Sequence, residues 1–244
     1  MKYIKNILLL VSATVIIVLS GSCRREDPYD GFISKTYDYA SIDTLQLEGV
    51  YDVILIQDTI NKIVVNGPER VVNKTDLTTE NGTLRIDTRG NGQMFHPREG
   101  NTRLYVHVTA IKLINVYETC SITTPVPLTG YEIGLINKAR TMDVDLKLNC
   151  TVFYYWNNPV GGRITLHGQV NELKFWNAGL ARVDASDLQA EFALADNGSQ
   201  DNCTVNARQQ IIYSLTSVGN ILYYGNPQLV SDKVTGTGQI LRAN

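Results

Sequence analysis

The chain has 244 residues, 43% of them hydrophobic and 19% charged, with a formal net charge of -2. This is the composition of a folded chain rather than a disordered one, and the roughly 220 residues after Cys23 can enclose a sizeable core. No cationic excess exists to draw a polyanion, so nucleic acid is excluded as a partner.

Residues 1–6 carry Lys2 and Lys5, and residues 7–19 form an uncharged apolar run. At about 1.5 Å per residue that run reaches about 20 Å, short of a hydrocarbon core of about 30 Å. Residues 1–22 are therefore predicted to be a secretory signal with a basic start and a short apolar centre, not a membrane span. Ser20, Gly21 and Ser22 precede Cys23. The arrangement resembles the lipobox of bacterial lipoproteins, in which the cysteine is acylated and becomes the first residue of the mature chain. The leucine usual three places before that cysteine stands four places before it here, at Leu19. The resemblance implies lipidation at Cys23 and the membrane as a partner, because two or more acyl chains give stable anchoring. The alternative is a plain signal peptide that leaves Cys23 as an ordinary thiol.

Arg24 stands where an aspartate resembles an inner-membrane retention signal, which implies delivery to the outer membrane, facing the periplasm or the outside. Arg24-Arg25-Glu26-Asp27 also resembles the charged surface-export signals of Bacteroidetes lipoproteins. Residues 23–36, with alternating charge, a proline and a glycine in "RREDPYDG", read as a flexible tether. Loss of Lys2 and Lys5 with the signal takes the net charge from -2 to -4.

Residues 37–110 read as a small β-sheet unit. "TLQLEGVYDVILIQD" and "TRLYVHVTA" alternate apolar with polar residues, "KIVVNGPE" predicts a turn at Asn-Gly-Pro, and Asn81-Gly82 predicts another. A brief helix is predicted within residues 69–79, against the preference of its β-branched residues.

Residues 111–244 carry a repeat. In "GLINKA", "FYYWNN", "LKFWNA", "FALADN", "YSLTSV" and "DKVTGT", an inward candidate stands two places before a small polar residue or glycine. The pairs are Leu135/Asn137, Tyr155/Asn157, Phe175/Asn177, Leu194/Asp196, Leu215/Ser217 and Val234/Gly236, with steps of 20, 20, 19, 21 and 19. Asn, Asp and Gly take positive φ most readily, so the column Asn137, Asn157, Asn177, Asp196, Ser217, Gly236 is predicted to mark bends, Ser217 being the misfit. Units of about 20 residues that cannot bury an apolar face alone, but can do so when stacked, predict an all-β, right-handed parallel β-helix or solenoid. Six units are counted, preceded by a first in "LINVYETCSI". An antiparallel sandwich would instead use Asn-Gly-type hairpin turns every 8 to 12 residues, which are sparse here.

The segments "NGPERVVNKTDLTTENGTLRI" and "YYGNPQLVSDKVTGTGQI", with the repeats between them, resemble the head GIN domain family, auto-transporter-adhesin-like proteins common among Bacteroidetes lipoproteins. The resemblance covers residues 42–241 and implies that residues 37–244 form one continuous domain. The family usually shows Ser-Gly-Ser-Gly at each bend; here "INKA", "YWNN", "FWNA" and "ADNG" replace it and only "TGTG" keeps the form. What the family name implies is adhesion.

Three cysteines remain after Cys23: Cys120, Cys150 and Cys203. None is spaced as a metal ligand, His96, His107 and His167 are scattered, and neither metal nor cofactor is expected. Cys120 and Cys203 fall in one phase of the repeat but four turns apart, about 19 Å at about 4.8 Å per turn, so three free thiols are predicted.

Two chemistries remain. Asp143, Asp145, Asp184 and Asp187, with Arg163 and Arg182, occupy comparable strand positions on neighbouring units and could form the carboxylate pair of a polysaccharide lyase or hydrolase; a solvated strand face explains them equally. Trp156 and Trp176 follow inward candidates, so alternation turns both indoles outward on adjacent turns. Stacked, exposed indoles suit a sugar face or a partner chain, although both could instead pack beneath the first sheet unit. The expectation is a non-catalytic, lipid-anchored envelope protein whose solenoid binds a glycan or an envelope or host protein. The alternatives are an enzyme on the same scaffold and a purely structural spacer.

Overall fold

The structure is a computed structural model that describes residues 31–88, 102–157 and 160–243. Cys23, the signal segment, the first part of the tether and His96 lie outside the described residues. In chain order the elements are β1 (Phe32–Asp38), β2 (Thr44–Glu48), β3 (Tyr51–Gln57), β4 (Lys62–Pro68), α1 (Glu69–Val72), β5 (Thr75–Glu80), β6 (Thr83–Thr88), β7 (Thr102–Val108) and β8 (Leu113–Val116). They continue as β9 (Cys120–Thr123), β10 (Leu128–Asn137), β11 (Met142–Asn157), β12 (Val160–Ser199), β13 (Cys203–Leu215), β14 (Ile221–Tyr224), β15 (Gln228–Val234) and β16 (Ile240–Arg242).

From β8 onward the strands stack in parallel, as the 20-residue period requires. Leu135 lies beside Tyr155, and Tyr155 beside Phe175, each exchange moving one rung along the stack. All three are fully buried, so each rung contributes its apolar side chains to one continuous core. The long β11 turns a corner without breaking. Met142, Val144, Leu146, Leu148 and Cys150 alternate inward; then Val152 and Phe153 are buried consecutively, and the inward phase passes to Phe153, Tyr155 and Asn157. A single slip in the two-residue alternation lets one strand line two sides of the coil.

The first sheet unit is not separate from this stack. β2 pairs in parallel with both β8 and β6, and β3 in parallel with both β9 and β7. The rungs therefore run β6/β7, then β2/β3, then β8/β9, an order that differs from the order along the chain. Antiparallel strands finish that end: β1 on β4, β4 on β7, and β5 on β6.

Several local expectations change. Residues 32–36, expected in the tether, lie in β1 and pair with β4. The helix is confined to Glu69–Val72, after which the β-branched residues enter β5. Asn66-Gly67-Pro68 is not a turn but the end of β4, where a Cβ at residue 67 would lie 2.9 Å from Thr102 Oγ1. Asn81-Gly82 does form its turn, with φ of 49° and 75° and Glu80 opposite Thr83, as a two-residue type I′ hairpin requires.

The far end of the stack closes differently. Among the described residues, β15 pairs only with β13, and β16 only with β14. A register shift opposite Tyr213 and Ser214 leaves Asp232 as the extra residue of β15, beside Lys233. An irregular, charged outer strand discourages further pairing. Val234, predicted inward, lies opposite Leu215 and is 51% exposed.

Candidate functional site

Asn137 and Asn157 are opposite one another in register, and the Asn157 Nδ2 donates to Asn177 Oδ1 at 3.3 Å. Asn177 Nδ2 in turn donates to the side-chain oxygen of Asn197 at 3.4 Å. The vertical file is therefore Asn137, Asn157, Asn177, Asn197, and the position assigned to Asp196 belongs to its neighbour. Beyond it, Asn197 is opposite Leu215 and Leu215 opposite Val234. Ser217 and Gly236 thus lie two residues beyond the file, where a Cβ at residue 236 would meet the Ser217 carbonyl oxygen at 2.0 Å. The inward residues of that rung are Ala193 and Ala195 rather than Leu194.

The column also works by other physics than predicted. None of these asparagines has positive φ; the bends use glycines such as Gly162, Gly168, Gly179 and Gly225. The asparagines instead point inward, all four buried, and their amides satisfy buried backbone: Asn157 exchanges two hydrogen bonds with Ala178, at 2.7 and 2.9 Å, and Asn177 donates to the Ala181 carbonyl at 2.7 Å. The Tyr155 hydroxyl, raised above its ordinary value by burial, lies against the side-chain amides of Asn137 and Asn157. The ladder is a buried structural device, and Cys203 sits against it, its Sγ 3.2 Å from both Asn177 Nδ2 and Asn197 Oδ1. Cys120, Cys150 and Cys203 are all free and buried.

Outside the same strands the surface is aromatic. Because Tyr155 and Phe175 point in, Trp156 and Trp176 point out, opposite one another in register and 39% and 38% exposed. Neither packs beneath the first sheet unit. Ile136 lies in register beside Trp156 on the preceding rung. Two residues back along each strand, Gly134, Tyr154 and Lys174 form the adjoining outward column, and Lys174 Nζ pairs with Glu172 Oε2 at 2.6 Å. Gly134, Tyr154 and the Lys174–Glu172 pair were not singled out from the sequence, although the 20-residue alignment sets the glycine of "EIGLIN" against the tyrosine of "FYYWNN".

The carboxylates lie on other sheet positions. Asp143 is opposite Arg163 and Asp145 opposite Thr165. His167 lies between two of them, its Nε2 3.2 Å from Asp145 Oδ1 and its Nδ1 3.4 Å from Asp187 Oδ2. Burial works to raise the Asp184 carboxyl, but hydrogen bonds from Thr204 at 2.6 Å and Ser186 at 2.7 Å, with Arg182 3.8 Å away, hold it below its ordinary value. A glycosidic acid needs the opposite, a carboxyl held protonated. Asp196 is raised by burial and then by Asp232; it precedes Asn197, in the outward column of the aromatic face. No group of three or more potential metal ligands occurs among the described residues.

A parallel β-solenoid with an amide ladder inside and stacked indoles outside is a repeat scaffold that presents a surface. Residues 41–227 match the model of the family described as "Putative auto-transporter adhesin, head GIN domain", and the chain belongs to that family. Among solved structures it is similar to a putative adhesin from Bacteroides fragilis NCTC 9343, with a TM-score of 0.82 and 19% identity over 88% of this chain and 99% of that one. It is also similar to a putative adhesin from Parabacteroides merdae ATCC 43184, with a TM-score of 0.61 and 14% identity over 88% and 98%. A protein from Parabacteroides distasonis ATCC 8503 described as a putative lipid binding protein gives a TM-score of 0.61 and 16% identity over the same shares. At these identities the likeness carries the fold. No curated protein matches the chain.

Proposed function

We propose that this chain is an adhesion module of the cell envelope, anchored in the outer membrane through an acylated Cys23, and that it binds a glycan or protein ligand through the face bearing Trp156 and Trp176. The observation that carries the reading is the in-register pair of indoles, each more than a third exposed on adjacent rungs about 4.8 Å apart. Exposed aromatic rings contribute strongly to association when a ligand removes them from water. Family membership supports the same role. A spacer has no need of two exposed indoles, and the Asp184 environment argues against an acid-base pair.

Two measurements test the reading. Beads coated with the chain are expected to adhere to cells or extracellular matrix, and a Trp156→Ala/Trp176→Ala variant to lose about 90% of that adherence, the effect of removing two hot-spot residues. Equal adherence by both would remove the indoles from the function. Metabolic labelling with an alkynyl fatty acid is expected to mark the wild-type chain and not Cys23→Ser; label on both would remove the anchor.

A further inference from the structure

We infer that the outward face around Tyr154 is a binding site for a neutral glycan, with pyranose rings stacking on Tyr154, Trp156 and Trp176 and sugar hydroxyls meeting the Lys174–Glu172 pair. The inference rests on the aromatic face being the functional one and adds its ligand class.

The first observation is a side-chain slot. Gly134 is opposite Tyr154, and a Cβ at residue 134 would lie 2.1 Å from Tyr154 Cζ, 2.4 Å from its hydroxyl oxygen and 2.5 Å from Cε2. The phenol thus lies across the preceding rung, in the space where any other residue would place its side chain. It forms a low floor one pleat from the indole of Trp156. Burial, with Glu132 nearby, pushes the phenol above its ordinary value, so it stays a neutral hydroxyl that both donates and accepts.

The second observation is the charge around that floor. Lys174 is opposite Tyr154, and its ammonium is matched by Glu172 at 2.6 Å, both side chains 37% exposed. The column of the two indoles continues on the next rung to Asp196, the residue before Asn197, where Asp232 and Lys233 are close by. Lys174, the cation opposite Tyr154, is matched by Glu172, so it offers no free positive charge to an anionic glycan or a membrane surface. A protein partner is disfavoured too, because the centre of a protein interface is depleted of Lys and Glu, and here that pair adjoins the rings. A neutral sugar satisfies both features. Its C–H face stacks on aromatic rings, and its hydroxyl rim uses a paired ammonium and carboxylate as donor and acceptor. The rung spacing of about 4.8 Å sets successive rings about one sugar residue apart, so the glycan runs along the stack.

The chain contains two tryptophans, both on this face, so emission excited at 295 nm reports the site directly. Full-length chain is titrated with neutral hexasaccharides of glucose, N-acetylglucosamine, mannose and xylose, and with hexagalacturonate. A saturable change is expected with at least one neutral probe, and weaker binding of the uronate. Gly134→Ala, which displaces the Tyr154 ring, and Tyr154→Ala, which removes it, are each expected to weaken binding about tenfold, the effect of losing one aromatic anchor. Far-UV circular dichroism reports whether each variant is folded, and Tyr154→Ala serves alone if Gly134→Ala is not. Silence with all four neutral probes, preference for the uronate, or undiminished binding by folded Tyr154→Ala overturns the inference. Adherence lost in the double tryptophan variant while every neutral sugar is silent would leave the adhesion reading standing and remove this one.

Discussion

The side-chain amide of Asn157 donates to the side-chain oxygen of Asn177 across one rung at 3.3 Å, with both residues buried. Asn177 also holds the Ala181 carbonyl, Asn197 and Cys203, so one buried amide serves four partners. Asn177→Ala leaves those partners unsatisfied and is expected to lower unfolding stability in urea by about 1–3 kcal/mol. Asn177→Asp is expected to cost more at pH 7, because an unpaired charge would be buried. Midpoints unchanged in both variants would contradict the ladder.

The cysteines give a chemical prediction. Burial pushes the Cys120 and Cys150 thiols up to about 12 and Cys203 up to about 11. Only the thiolate reacts, so iodoacetamide at pH 8 is expected to leave all three unmodified in the native chain and to label all three in denaturant. Peptide mass mapping reads the outcome. A Cys120–Cys203 disulfide, or rapid labelling of native Cys203, would contradict the packing.

Two carboxylates on different sides of the coil give opposite pH dependences. Asp196 is raised from 3.8, first by burial and then by Asp232, with Lys233 opposing. The folded state therefore holds this proton more tightly than the unfolded state, and stability is lost as pH rises from about 3.8 through the folded value. Asp196→Asn is expected to raise the melting temperature at pH 7. Asp184, net lowered from 3.8, contributes stability that is present above that value and lost as pH falls through the folded one. Asp184→Asn is expected to lower the melting temperature at pH 7 and to cost little near pH 2. The same sign for both variants at pH 7 would show that the environments are misassigned.

Gly168 has φ of 106°, and a Cβ there would lie 2.1 Å from the Leu148 carbonyl oxygen on the adjacent rung. Both the backbone conformation and the space exclude a side chain. Gly168→Ala is expected to lower the melting temperature by more than Gly161→Ala, where the nearest atom to a Cβ is 3.8 Å away. Equal melting temperatures for the two variants would contradict the rung spacing at this corner.

The solenoid was legible because its period is carried by large inward residues, Leu135, Tyr155 and Phe175, each followed by asparagine two places on. The reading slipped where the core becomes small: with Ala193 and Ala195 inside, Leu194 was the only large apolar residue to align, and it drew Asp196 into the file in place of Asn197. The sequence aligns the asparagines through Asn177 but does not disclose their task, since a polar residue in a repeating column reads equally as a bend or as a buried ladder. The parallel pairing of β2 with β6 and β8 was not legible. Alternation in Leu45 and Leu47 records which face is buried, not which strand lies alongside, and the partners are scattered along the chain. Of the binding face, the two indoles were readable from alternation alone. Tyr154 was not, because its position depends on the absence of a side chain at Gly134 one rung away.

Binding on the face of Trp156 and Trp176 is tested by oxidative footprinting of the chain while it adheres to its target surface. Both indoles are exposed in the free chain, and His167 lies between Asp145 and Asp187 at other sheet positions, providing an internal reference. Oxidation of Trp156 and Trp176 is expected to fall several-fold on adherence, as for rings buried at a contact, while His167 reacts as before. Unchanged tryptophan oxidation together with protection around His167 would contradict it.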